Sequence, residues 1–188
     1  WYTRLYAVSY YDTRWETSFY QAFLQHGYFL TSGRILSAFG FIMASGDARS
    51  SGGLAPAIFS DNALTFGVGL KAAPFAGFQA SIQQGLSVDL IDRGQRASTR
   101  GDFRAVALYG IGYYAAHTRH RDMRFPFSPF ADLYSSVGYY SRYANIIGYL
   151  QGRAGVRPIE VDRTVLDLYA KGGLVRDSEK EYYNNILE

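Results

Sequence analysis

The sequence predicts an all-β protein, an antiparallel up-and-down transmembrane β-barrel of which these 188 residues supply roughly ten strands. Three observations predict it. Long segments alternate apolar and polar residues with a period of two, the spacing that sends successive side chains to opposite faces of a strand. The composition is rich in Tyr (17) and Gly (20) and has no Cys, and its 48% of hydrophobic residues is finely interleaved with polar ones. The connections include both tight turns and long polar loops, as in a meander with two unlike rims.

Strand starts are expected near residues 2, 18, 34, 58, 76, 102, 130, 145, 163 and 181. Residues 17–45 are strand-like with ambiguous faces. In "ALTFGVGLK", Leu64, Phe66, Val68 and Leu70 take one parity, with Thr65, Gly67, Gly69 and Lys71 on the other. "GFQASIQQGLSVDL" repeats this, with Phe78, Ala80, Ile82, Leu86, Val88 and Leu90 opposed to Gln79, Ser81, Gln83, Gly85, Ser87 and Asp89; only Gln84 breaks the apolar parity. Segment 101–114 is looser: Phe103, Ala105, Ala107, Tyr109 and Ile111 share a face, while the other mixes Arg104 and glycines with Val106 and Leu108. "NIIGYLQGRAGVR" sets Ile146, Leu150, Ala154 and Val156 against Asn145, Tyr149, Gln151, Arg153 and Arg157. In "VLDLYAKGGL", Leu166, Leu168, Ala170 and Leu174 oppose Asp167, Tyr169 and Lys171.

"TSGR" (31–34) and "AAPFAG" (72–77) read as tight turns, whereas 45–56 and 91–101 are long, polar, Gly- or Arg-bearing loops. The Arg-rich segment 116–129 breaks the alternation of tight and long. With no linker and no composition break, the whole of 1–188 reads as a single β-barrel domain, incomplete, with more strands expected outside it. The chain begins at Trp1 without a signal peptide and reads as a fragment of a longer, processed protein.

Alternation alone suits either a soluble sandwich with apolar faces inward or a membrane barrel with apolar faces outward. Three features favour the barrel. The alternating strands run about 10–14 residues, enough for a tilted span. Small residues crowd the polar faces, at Gly67, Gly69, Gly77, Gly85, Gly110, Gly112 and Gly138. Tyr doublets recur near strand ends, at Tyr10, Tyr11, Tyr113, Tyr114, Tyr139, Tyr140, Tyr182 and Tyr183. Tyr anchors at a membrane–water interface, which makes these an aromatic girdle, although Tyr is also simply a good strand residue.

The net charge of +3, with 16 acids interspersed among 19 bases, gives no electrostatic footprint for nucleic acid. Gln79, Gln83, Asn145, Tyr149, Gln151, Arg153, Asp167, Tyr169 and Lys171 lie on the polar parity. As lumen-facing residues they can line a substrate path or merely solvate the interior and pair across it. Arg119, Arg121 and Arg124 are candidates for the phosphates of outer-membrane lipid or lipopolysaccharide. His117, His120 and Asp122 share that basic loop, which repels a cation, so no metal or other cofactor is expected. His26 falls on the more apolar parity with no Ser or carboxylate partner marked for it, and an enzyme is not expected.

The succession "LKAAPFAGFQASIQQGLSVDL", "RGDFRAVALYGIGYY", "PFADLYSSVGYYSRYANIIGYLQGRAGVRP" and "LDLYAKGGLVRDSEKEYYNNILE" resembles the C-terminal domain of the NfrA-type phage-adsorption outer-membrane proteins, over roughly residues 60–188. The resemblance implies a bacterial outer-membrane barrel preceded by periplasmic helical repeats. It also implies kinship with porins that export exopolysaccharide, with a polysaccharide, an inner-membrane glycan synthase complex and a phage tail protein as partners. It carries no catalytic residue. The alternatives are a plugged receptor barrel, which should show lumen-crossing ion pairs, and a soluble β-sandwich or lipocalin-like domain, which should bury Phe66, Phe78 and Leu168 together.

Overall fold

The computed structural model describes residues 1–13, 16–49, 60–92, 98–114, 128–161 and 164–180. It contains nine strands: β1 (Tyr2–Asp12), β2 (Thr17–Phe29), β3 (Leu36–Asp47), β4 (Ala63–Ala72), β5 (Phe78–Asp89), β6 (Thr99–Tyr114), β7 (Ser128–Tyr140), β8 (Asn145–Val161) and β9 (Thr164–Asp177). They form one antiparallel sheet in strict sequence order, each strand hydrogen-bonded to the next. The fold is therefore all-β and up-and-down, as the alternation predicts. The expected strand near residue 181 lies outside the described residues.

The sheet is open, with β1 and β9 as its edges. It is nevertheless strongly rolled. The Tyr143 hydroxyl, in the turn after β7, donates to the Asp61 carbonyl just ahead of β4 at 3.4 Å, three steps along the strand order. In a flat sheet β4 and β7 would sit about 14 Å apart at the usual strand spacing. One face is thus an interior and the other an exterior.

Register fixes which residues share each face. Pairs such as Gly40↔Val68, Phe66↔Leu86, Ile82↔Ala105 and Ala107↔Val137 carry the exterior. Thr65↔Ser87, Gln83↔Arg104, Asp132↔Arg153 and Arg153↔Lys171 carry the interior. A bulge between Val156 and Ile159, at Pro158, shifts the register of β8 against β9. Pro lacks the amide a ladder needs, so the bulge falls where the ladder has to break.

The strand ends separate onto two rims: β1, β3, β5, β7 and β9 end at the first, and β2, β4, β6 and β8 end at the second. The tight turn at 30–35 is closed by the Thr31 hydroxyl, which accepts from the amides of Ile35 (3.0 Å) and Leu36 (3.1 Å). Of the long segment that broke the predicted alternation, only Ser128 and Pro129, the first residues of β7, lie within the described residues. The ends of the two long loops expected on the first rim are strand: residues 45–47 belong to β3 and 99–101 to β6.

Candidate functional site

The exterior is apolar from strand to strand. Val68 is 65% exposed and Leu168 57%, and Phe66, Ile82, Leu86, Ile111, Leu133, Val137, Ile146 and Leu150 are exposed with them. Exposed aromatic side chains stand at both margins, with Tyr11, Tyr20 and Tyr139 toward the first rim and Tyr28, Phe75 and Tyr113 toward the second. The predicted doublets divide between the faces, because adjacent strand residues must point opposite ways. Tyr11, Tyr113 and Tyr139 are exterior. Tyr10 is interior and stacks on Phe19 at 5.0 Å, and Tyr140 is interior beneath the Arg104 guanidinium, 5.5 Å from its ring centroid. Of Tyr114 only the backbone is described, and Tyr182 and Tyr183 lie outside the described residues.

The interior divides into three zones. Along β1–β3 it is aromatic. Tyr2, Tyr6 and Tyr10 meet Phe29, Phe23 and Phe19 across the first strand pair, and Phe39, Phe41 and Met43 form a buried cluster beside Phe23.

At the first rim the interior is a buried polar network. Arg104 donates through Nε and Nη2 to the two carboxylate oxygens of Asp102 (3.0 and 2.6 Å), and through Nη2 to Asp61 (3.0 Å). The Ser87 hydroxyl donates to Asp102 at 2.6 Å and shares a 2.6 Å hydrogen bond with Thr65. A continuous polar chain therefore runs across the starts of β4 and β6 and the end of β5. Beside it, Asp89 accepts from Arg100 at 3.3 Å and from Arg142, which sits in the β7–β8 turn. Asn62 donates to Asp47 at 2.7 Å, and Asn145 donates to Asp177 at 2.7 Å. Buried charge is tolerable only when paired and hydrogen-bonded, and here each guanidinium has a carboxylate against it.

Along β7–β9 the interior is more accessible and carries rings interleaved with ion pairs. Arg153 binds Asp132 through Nε (3.0 Å) and Nη2 (2.6 Å), and its guanidinium lies 5.3 Å from the Tyr169 ring centroid. Arg157 holds Asp167 in the same two-point manner at 2.9 and 3.3 Å. Tyr134 meets Tyr149 edge to face at 5.7 Å, and the Tyr149 hydroxyl donates to Gln151. Rings held by guanidinium groups and amides offer flat apolar faces rimmed by hydrogen-bonding atoms.

All nine residues predicted to face the lumen lie on the interior face. Tyr149, Gln151, Arg153, Asp167, Tyr169 and Lys171 come together on β8 and β9, and Gln79 and Gln83 stand apart on β5. Asn145 is fully buried, its amide engaged by Asp177 and Ser178, and its position makes it a tie between the strand ends. The interior ion pairs also take in Asp61, Asp102, Arg104, Asp132 and Arg142, which the sequence pattern alone does not bring together. The parity of Asp102 and Arg104 was readable, but their company of Val106 and Leu108 made that face look mixed. Arg119, Arg121, Arg124, His117, His120 and Asp122 lie outside the described residues.

Comparison with protein-family models, with curated proteins and with solved structures gives no match.

Proposed function

We propose that this chain forms wall strands of a bacterial outer-membrane β-barrel that passes or displays a polysaccharide. The observation that carries the membrane reading is an inversion of polarity. The largest fully buried side chains are Asn62, Asn145, Thr17, Thr65, Asp102, Ser37 and Ser87, all polar, while large aliphatic side chains crowd the exposed face. Nine strands at the usual spacing make an apolar band about 40 Å wide, far beyond the patch of a few hundred Å² that a soluble monomer exposes. Hydrocarbon outside satisfies the aliphatic face, while inside the polar groups of the first rim and of β7–β9 pair with one another and the aromatic residues of β1–β3 pack together.

Strand parity bears on how the wall is completed. With nine antiparallel strands, β1 and β9 run in the same direction. An all-antiparallel ring therefore needs an odd number of further strands, which supports a larger barrel. The rings and paired charges of β7–β9, together with the resemblance to NfrA-type proteins, support a glycan as the molecule that passes. A receptor barrel without transport is the second reading, favoured by the buried ion pairs Arg104–Asp61 and Arg142–Asp89, each of which reaches past an intervening strand on the interior side. For the soluble alternative, Phe66, Phe78 and Leu168 would have to be buried together; Phe66 and Leu168 are exposed, and Phe78 is half-buried against Phe75.

The test is reconstitution into phospholipid vesicles, flotation, and electrophoresis of boiled and unboiled samples. Flotation with a heat-dependent shift in mobility is expected. A chain that stays in the soluble fraction and migrates identically in both lanes overturns the membrane reading.

A further inference from the structure

Among the described side chains, the exterior face of the strands carries one histidine, His26 on β2, and no Asp, Glu or Lys; its one Arg is Arg176, at the end of β9. An ionisable group on a face of this kind marks a functional site by default, because it is costly to hold in hydrocarbon unless it is partnered. His26 is partnered on one side only. Its Nδ1 shares a 2.9 Å hydrogen bond with the Thr3 hydroxyl of β1, and the Trp1 ring stacks on it at 5.9 Å. Its second ring nitrogen, Nε2, has no hydrogen-bond partner among the described residues.

The residue opposite His26 on β3 is Gly40, followed along the same row by Val68 and Gln84. The missing side chain at Gly40 leaves an apolar furrow of about 570 Å³ bordered by His26, Ala38, Val68, Leu70 and Ile82. A Cβ added at Gly40 would meet only the Gly67 carbonyl oxygen, at 3.8 Å, so the space is open. Depth matters too. His26 lies three residues from the end of β2, about 10 Å along the strand from the second rim. At a normal barrel tilt, that is the level where a lipid's esters and phosphate meet its acyl chains.

We propose that His26, Thr3 and the Gly40 furrow bind one glycerophospholipid, its phosphate or ester oxygen accepting a hydrogen bond from His26 Nε2 and one acyl chain lying over Gly40. This rests on the membrane reading above. The chain, reconstituted and then extracted in detergent, would be titrated with palmitoyl-oleoyl phosphatidylglycerol and examined by native mass spectrometry. The expected result is one retained lipid per chain. Apparent affinity should fall about tenfold in His26→Leu, which removes one charge-assisted hydrogen bond. It should fall comparably in Gly40→Leu, which fills the furrow and leaves His26 intact, and should hold in Leu168→Ala, far from the site. A chain that floats with vesicles but retains no stoichiometric lipid, or retains it equally in both variants, overturns the site and leaves the membrane reading standing. A chain that does not float overturns both.

Discussion

Arg104 and Asp61, 43 residues apart in the chain, form an ion pair of 3.0 Å that reaches over the end of β5. The same guanidinium holds Asp102, so one buried cation balances two carboxylates and joins β6 to the start of β4. Among the described residues, no comparable ion pair lies on the exterior. Around the first rim the interior face is cohesive through polar contacts, a condition that suits a wall whose other side is apolar.

Arg104→Met should leave Asp61 and Asp102 without their guanidinium and cost about 3–5 kcal/mol of folding free energy, the usual effect of breaking a buried pair from one side. Adding Asp102→Asn should recover part of the loss. Urea unfolding midpoints of the reconstituted chain would measure both. An Arg104→Met midpoint equal to that of the unaltered chain would mean that the pair contributes nothing.

Val68→Arg separates the two environments by its sign and size. On a lipid-facing strand near mid-depth it should cost about 2–4 kcal/mol and lower the fraction inserted into vesicles. On a water-facing surface the same change at a 65% exposed position should stay within about 0.5 kcal/mol. Flotation yield reads the difference directly.

Gly67 and Gly85 face each other across β4 and β5. A Cβ added at Gly67 would run into the Gln84 carbonyl oxygen, and one at Gly85 into that of Phe66. Gly85→Ala should therefore force the two strands apart at a cost of about 1–3 kcal/mol. Gly101→Ala, where a Cβ meets nothing within 4 Å, should change little. Thermal unfolding, with amide exchange along β4 and β5, distinguishes a local loss from a global one.

Tyr149→Ala combined with Tyr169→Ala should abolish block of channel current by oligosaccharide while leaving insertion intact, because both rings lie on the accessible part of the interior. Planar-bilayer recordings test this. Unchanged block in the double variant would remove the support that β8 and β9 give to a glycan path.

Residue order alone carried the strands, their antiparallel succession and the division of each one into two faces. A period of two needs no distant contact to be read, and neither does the assignment of Tyr149, Arg153 or Tyr169 to the polar side. Which of these residues meet could not be read in this way, because a pair such as Arg104 and Asp61 depends on the register of three strands together. The Tyr doublets show the same limit: position near a strand end is local, but the face of Tyr10 or Tyr140 depends on which parity the rolled sheet turns inward. The partner of His26 was hidden for that reason too, since Thr3 lies 23 residues away and meets it only through the pairing of β1 with β2. Alternation says that the two faces differ. The direction of curvature decides which one is the interior, and that is a property of the whole sheet.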